Sequence, residues 1–113
     1  MTSSNDYPAE WLRGILGPCV LQLLGAGPAY GYALIGALKD AGLGEIKGGT
    51  LYPLLTRYEK QGLVKTEWRA GDGGPGRKYF ALTQEGRAEL KKISAQWEYF
   101  SGSVNAIFKE THD

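Results

Sequence analysis

The chain has 113 residues, of which 42% are apolar and 22% charged, with a formal net charge of +1. That composition is ordinary for one globular domain with one core, and it excludes a largely disordered chain. The lone cysteine, Cys19, sits in an apolar run; it excludes an intramolecular disulfide and reads as a packed thiol in a reducing compartment.

Two further absences narrow the function. The single histidine is His112, one residue from the end, so His and Cys form neither a metal site nor a thiol dyad. Acidic residues are scattered over predicted solvent faces, with no buried carboxylate pair. We therefore expect no enzyme, no cofactor and no metal. The start of the chain lacks a basic-then-apolar leader pattern, and the longest apolar run, residues 15–24, is broken by Gly17, Pro18 and Gln22. It is too short to span a bilayer, so the expectation is a cytoplasmic protein without a membrane partner.

In chain order, residues 1–7 read as a polar, disordered N-terminus. Trp11, Leu12, Ile15, Leu16, Cys19, Val20, Leu23 and Leu24 recur at helical spacing, and Pro18 is expected to bend that helix or mark a restart. A second helix is predicted over residues 30–41, with Leu34, Leu38 and Ala41 on its apolar face and Gly42 closing it. Residues 45–47 could form a short strand. A third helix is predicted to begin at Thr50 as N-cap, with Pro53 in its first turn. Leu51, Leu54, Leu55 and Tyr58 line its core face, and Gly62 ends it.

The period then changes to two. Residues 63–69 and 78–83 read as strands around the glycine-rich stretch AGDGGPG, which makes a hairpin with a mobile tip. A final helix is predicted over residues 83–108, capped by Thr83, with Glu85 near the positive end of its dipole. The fold class that follows is mainly α with a small β-hairpin: a winged helix-turn-helix over residues 8–83, a long C-terminal dimerisation helix over 84–110, and frayed residues 111–113.

Charge is unevenly spread. Residues 47–78 hold seven basic and three acidic residues, net +4, and the rest of the chain nets −3. A basic middle suits a polyanion, although an excess of this size also arises by chance. The tip matches G-x-G-x-x-G literally, at Gly71, Gly73 and Gly76. A dinucleotide fingerprint needs a helix after it, and a strand follows here. A Walker loop would need lysine and then Ser or Thr where Arg77 and Lys78 stand.

Leu90, Ile93, Trp97, Phe100, Val104 and Ile107 alternate at three and four residues in the last helix. Covering six such side chains is worth on the order of 10 kcal/mol. Part of that seam can pack on the first helix; the rest needs a second copy, so these six residues are the expected dimer interface.

The stretches GPAYGYAL at 27–34, GGTLYPLLTRYEKQGLV at 48–64 and GRKYFALTQEGRAEL at 76–90 resemble the PadR family of transcriptional regulators. Gly-Thr-Leu-Tyr-Pro with the later Glu-x-x-Gly-Leu-Val is the most specific element. The resemblance is good over residues 12–90 and holds only in pattern for the last helix. It looks like the branch with a single C-terminal helix. Tyr58 stands where the family usually has leucine.

The resemblance implies a homodimer that binds double-stranded DNA at an inverted repeat, usually as a repressor. The third helix would enter the major groove, with half-sites about 34 Å apart or a little more. Thr50, Pro53, Arg57 and Lys60 lie on its exposed face with Tyr52 and Thr56 beside them; Arg57 suits guanine or phosphate, and Lys60 the backbone. The resemblance puts the wing along the backbone or in the minor groove, where Arg77 and Lys78 at its base would bind. Tyr30 and Tyr32, at the start of the second helix, either meet a phosphate or belong to the core. Tyr52 either touches DNA or packs under the wing, and Arg57 either touches DNA or is a solvated charge. Likeness to multidrug-responsive members implies a planar aromatic effector stacked between the Trp97 rings of two protomers, with Phe100 close by, against a reading of plain core packing. The competing function is a protein-interaction or ligand-sensing dimer that does not bind DNA.

Overall fold

The computed structural model describes residues 7–71 and 74–110. Of the expected N-terminal tail at 1–7 all but Tyr7, together with the expected fraying at 111–113 and Asp72, lie outside the described residues. The elements are α1 (Ala9–Leu24), β1 (Ala29–Tyr30), α2 (Gly31–Asp40), α3 (Gly48–Lys60), β2 (Val64–Gly71), β3 (Gly74–Leu82) and α4 (Gln84–Lys109). The fold is a winged helix-turn-helix followed by a long helix.

The core is made by α1, α2, α3 and one face of the sheet. Leu16, Val20, Leu21 and Leu24 of α1 meet Leu34 and Leu38 of α2, Leu51, Leu54, Leu55 and Tyr58 of α3, and Val64, Phe80 and Leu82 of the sheet. The four α3 positions recur at three and four residues, which puts them on one face of the helix. Ala41, expected on the core face of α2, is exposed and follows the helix as its C-cap.

Four sequence expectations are corrected. First, of the two expectations at Pro18, a bend or a restart, the restart is overturned: α1 is one helix through the proline. The proline deprives the Gly14 carbonyl of its donor, and burial of Leu16, Gly17, Val20 and Leu21 on either side holds the helix together. Second, residues 45–47 are not a strand. Ile46 is buried there, and the chain runs straight into α3. The edge of β3 is taken instead by β1, with Ala29 opposite Phe80 and Tyr30 opposite Tyr79.

Third, Thr50 is not the N-cap of α3. Lys47 holds that position, and its carbonyl accepts from the N–H groups of Thr50 (2.9 Å) and Leu51 (3.0 Å). Fourth, Pro53 therefore falls in the second turn rather than the first, opposite the carbonyl of exposed Gly49, which water can satisfy.

The end of α3 is a Schellman motif. Gly62, at φ +79°, donates to the Glu59 carbonyl and Leu63 donates to that of Tyr58, both at 3.0 Å. The chain then enters an antiparallel sheet of order β1-β3-β2. In the β2–β3 ladder Val64, Thr66 and Trp68 face Leu82, Phe80 and Lys78, while Lys65, Glu67 and Arg69 face Ala81, Tyr79 and Arg77. These two sets lie on opposite faces of the sheet.

Thr83 anchors α4. Its hydroxyl accepts from the Gly86 N–H at 2.9 Å and donates to the Gly62 carbonyl at 2.6 Å. Leu90 and Ile93 pack against the core beside α1. Beyond them α4 leaves the body, and Trp97, Phe100, Ile107 and Phe108 are exposed. A helix of 26 residues is about 39 Å long, so much of its length extends past the domain. Among the described residues no helix is long and apolar enough to cross a membrane.

Candidate nucleic-acid interface

The exposed face of α3 forms because its buried face is complete. With Leu51, Leu54, Leu55 and Tyr58 turned inward, Tyr52, Pro53, Thr56, Arg57 and Lys60 are left together along one shallow groove. Tyr52 also belongs to a second groove, lined by Tyr30, Gly31, Tyr32, Arg77 and Lys78. The wing base, the start of α2 and the first turns of α3 thus meet around one tyrosine.

Gly31 makes that meeting possible. A side chain there would run into the Tyr52 ring. The ring centroid of Tyr52 lies 6.3 Å from that of Phe80, yet the residue stays 46% exposed. Its ring is thus seated beside the sheet while part of it stays exposed. The two tyrosines at the entry to α2, Tyr30 as its N-cap and Tyr32 in its first turn, separate. Tyr32 is 77% exposed, whereas Tyr30 is half-buried.

Tyr30 is a stacking post for the wing. Its ring meets that of Tyr79 edge-on at 5.3 Å, and the Arg77 guanidinium lies 4.6 Å from its centroid. Lys78, on the opposite sheet face, reaches over Phe80 at 5.6 Å. In both contacts the charged group itself lies over the ring, and both residues remain exposed. Arg57 sits 5.7 Å from the Tyr58 ring. Burial raises the Tyr58 phenol above its ordinary pKa, and the nearby Arg57 charge partly opposes that.

The ion pairs among the described residues are Lys39–Glu45 at 3.2 Å and Arg69–Glu67 at 2.8 Å. Arg57, Lys60, Arg77 and Lys78 take part in neither. Thr50, Pro53 and Arg57 line a third groove, facing α1, with Arg13. Sequence reading did not single out Arg13. A lone arginine in a helix carries no pattern signal, and only the packing of α1 across α3 brings it beside Arg57. Trp68 was read simply as a strand residue.

The sequence model of the transcriptional regulator PadR-like family matches residues 20–92, which spans α2, α3, the wing and the start of α4. A PadR-like transcriptional regulator from Bacillus cereus is 31% identical in its solved structure, with a TM-score of 0.83 over 90% of this chain and 99% of that one. A PadR family transcriptional regulator from Eggerthella lenta is 41% identical, with a TM-score of 0.78 over 91% and 89%. An uncharacterized protein of Lysinibacillus sphaericus is 28% identical over 91 residues, 79% of this chain and 84% of that protein. The family model covers well over half of the chain, its position on the wing and α3 agrees with the geometry above, and the chain belongs to the PadR-like family of transcriptional regulators.

Proposed function

We propose that the protein is a homodimeric, sequence-specific DNA-binding regulator of the cytoplasm, acting as a repressor at an inverted repeat. One observation carries this reading. Arg57 and Lys60 on the open face of α3, and Arg77 and Lys78 at the wing base, flank Tyr52 and are free of the ion pairs among the described residues. Four cations beside an exposed helix face suit the phosphates and base edges of a major groove. Thr50, Tyr52 and Tyr32 add hydroxyl donors, and Pro53 lies among them.

A second copy would cover the outer half of α4. Trp97, Phe100 and Ile107 are exposed and Val104 is partly so, while Leu90 and Ile93 would extend the interface toward the body. The two recognition helices would then read half-sites related by a two-fold axis.

Selection of duplexes from a random pool, followed by anisotropy titration, tests the reading. Binding should weaken steeply with salt. The double variant Arg57→Ala/Arg77→Ala should abolish specific binding while the chain stays dimeric. Unchanged affinity in that variant, or no retention of any duplex in dilute buffer, would favour an interaction or sensing dimer instead. Repression is read from a reporter carrying the selected site.

A second reading concerns an effector. Ile15, Pro18, Cys19, Leu90, Ile93 and Trp97 line an apolar groove between α1 and α4, and the Trp97 and Phe100 rings lie 6.0 Å apart at 40°. A planar aromatic ligand is proposed to stack there and weaken DNA binding. Tryptophan quenching by a planar cationic dye, lost in Trp97→Ala, would support it; no quenching at high dye concentration would end it.

A further inference from the structure

Single exposed apolar side chains are common on protein surfaces. Trp68, in the middle of β2, is set apart by its surroundings. It is 72% exposed, although a strand tryptophan ordinarily packs against its neighbours. It belongs to the same sheet face as Thr66, Phe80 and Lys78, the face that is buried near the body and runs outward along the wing. Lys78 is its direct cross-strand partner. Gly76 lies diagonally across from it, and the indole is 3.8 Å from where a Gly76 Cβ would be. The indole therefore lies within van der Waals reach of the Gly76 backbone position.

This face carries two charged groups, each already engaged: the Glu59 carboxylate accepts from the Thr66 hydroxyl at 3.2 Å, and the Lys78 ammonium lies 5.6 Å from the Phe80 ring centroid. The nearest acid in sequence, Glu67, points to the opposite face and is held by Arg69 at 2.8 Å. Lys78, the direct cross-strand partner of the indole, takes part in no ion pair among the described residues. Past Phe80 the same face adjoins Tyr52 of α3. The patch is thus an apolar plate with a cation beside it, continuous with the candidate DNA surface.

From this juxtaposition we infer that Trp68 is a DNA-contacting residue of the wing: its indole packs on the deoxyribose wall of the duplex while Lys78 meets the adjacent phosphate. The inference rests on the DNA-binding reading. Sugar rings are the apolar part of the nucleic-acid backbone, and an apolar plate paired with a cation matches the alternation of sugar and phosphate. Such a contact adds affinity on every sequence alike, because sugars carry no base identity.

The test compares Trp68→Ala, Trp68→Phe and Lys78→Ala in the full-length chain, on a selected duplex and on a random one. Trp68→Ala should weaken both by about tenfold, leaving the slope of affinity against salt unchanged. Lys78→Ala should lower that slope by about one. Part of the tryptophan emission should be shielded from acrylamide when duplex is added, and that part should vanish in Trp68→Phe. Circular dichroism and sedimentation confirm that each variant is folded and has wild-type mass. Unchanged affinity of Trp68→Ala, or a loss accompanied by dissociation of the protein itself, would overturn the inference while the DNA reading stands. A wild-type chain that retains no duplex overturns the DNA reading, and this inference with it.

Discussion

The phenol of Tyr58 on α3 occupies the space that a side chain on Gly17 of α1 would need. A Cβ there would lie 3.3 Å from Tyr58 Cζ and closer still to the hydroxyl. The two helices are fitted to each other at this point, and the fit accommodates a tyrosine where the family usually has leucine. In an exposed helix Gly→Ala stabilises by roughly 0.5–1 kcal/mol. Here Gly17→Ala is expected to destabilise by about 1–2 kcal/mol, because a buried phenol must move. In a Tyr58→Leu background the same change should cost close to nothing. Urea unfolding of the four chains measures the coupling.

Thr83 ties α4 to the end of α3 through two hydrogen bonds of one hydroxyl. Thr83→Ala is expected to cost about 1–2 kcal/mol, and Thr83→Ser much less, since serine keeps the acceptor and the donor. Gly86→Ala should cost more than Thr83→Ala, because its Cβ would meet the Leu63 backbone carbonyl, which cannot rotate away. Thermal melts of the three variants give the order.

The outer half of α4 predicts an oligomeric switch. Ile107 is 67% exposed and Trp97 47%. If a second copy covers them, Trp97→Glu together with Ile107→Glu yields a folded monomer by sedimentation. Leu90→Glu instead should unfold the domain, since Leu90 packs on the core and touches the space beside Gly25. Wild-type mass in the Trp97/Ile107 variant would show that another surface holds the dimer.

Cys19 gives a pH prediction. Burial raises its thiol above the ordinary range, because the thiolate would lose water. Alkylation by iodoacetamide at pH 8 should therefore be slower in the folded chain than in urea. The linkage has a definite sign: a raised folded pKa means that this contribution to stability is full below the unfolded value and is lost as pH rises through the folded one. Equal alkylation rates in both states would contradict the burial.

The core face of α3 was legible in sequence, because leucines at helical spacing leave one solution for which side is buried. Its exposed side followed by exclusion, including Arg57 and Lys60. The start of α3 was misread: Thr50 looks like a cap, but the backbone of Lys47 already serves its N–H. The strand at residues 29–30 was invisible, since two residues carry no period.

Local pattern thus determined the order of the four helices and the hairpin, the glycine stop after α3, the Thr83 cap and the excess of apolar surface on the last helix. Each depends on residues within a few positions of one another, where propensity and spacing act directly. Tertiary structure decided which distant side chains share a surface: Tyr52 with Gly31 and Arg77, Arg13 with Arg57, Trp68 with Gly76. Those pairings arise from how helices and strands close on a common core, a condition that involves the whole chain at once and leaves no signature in any short stretch of it.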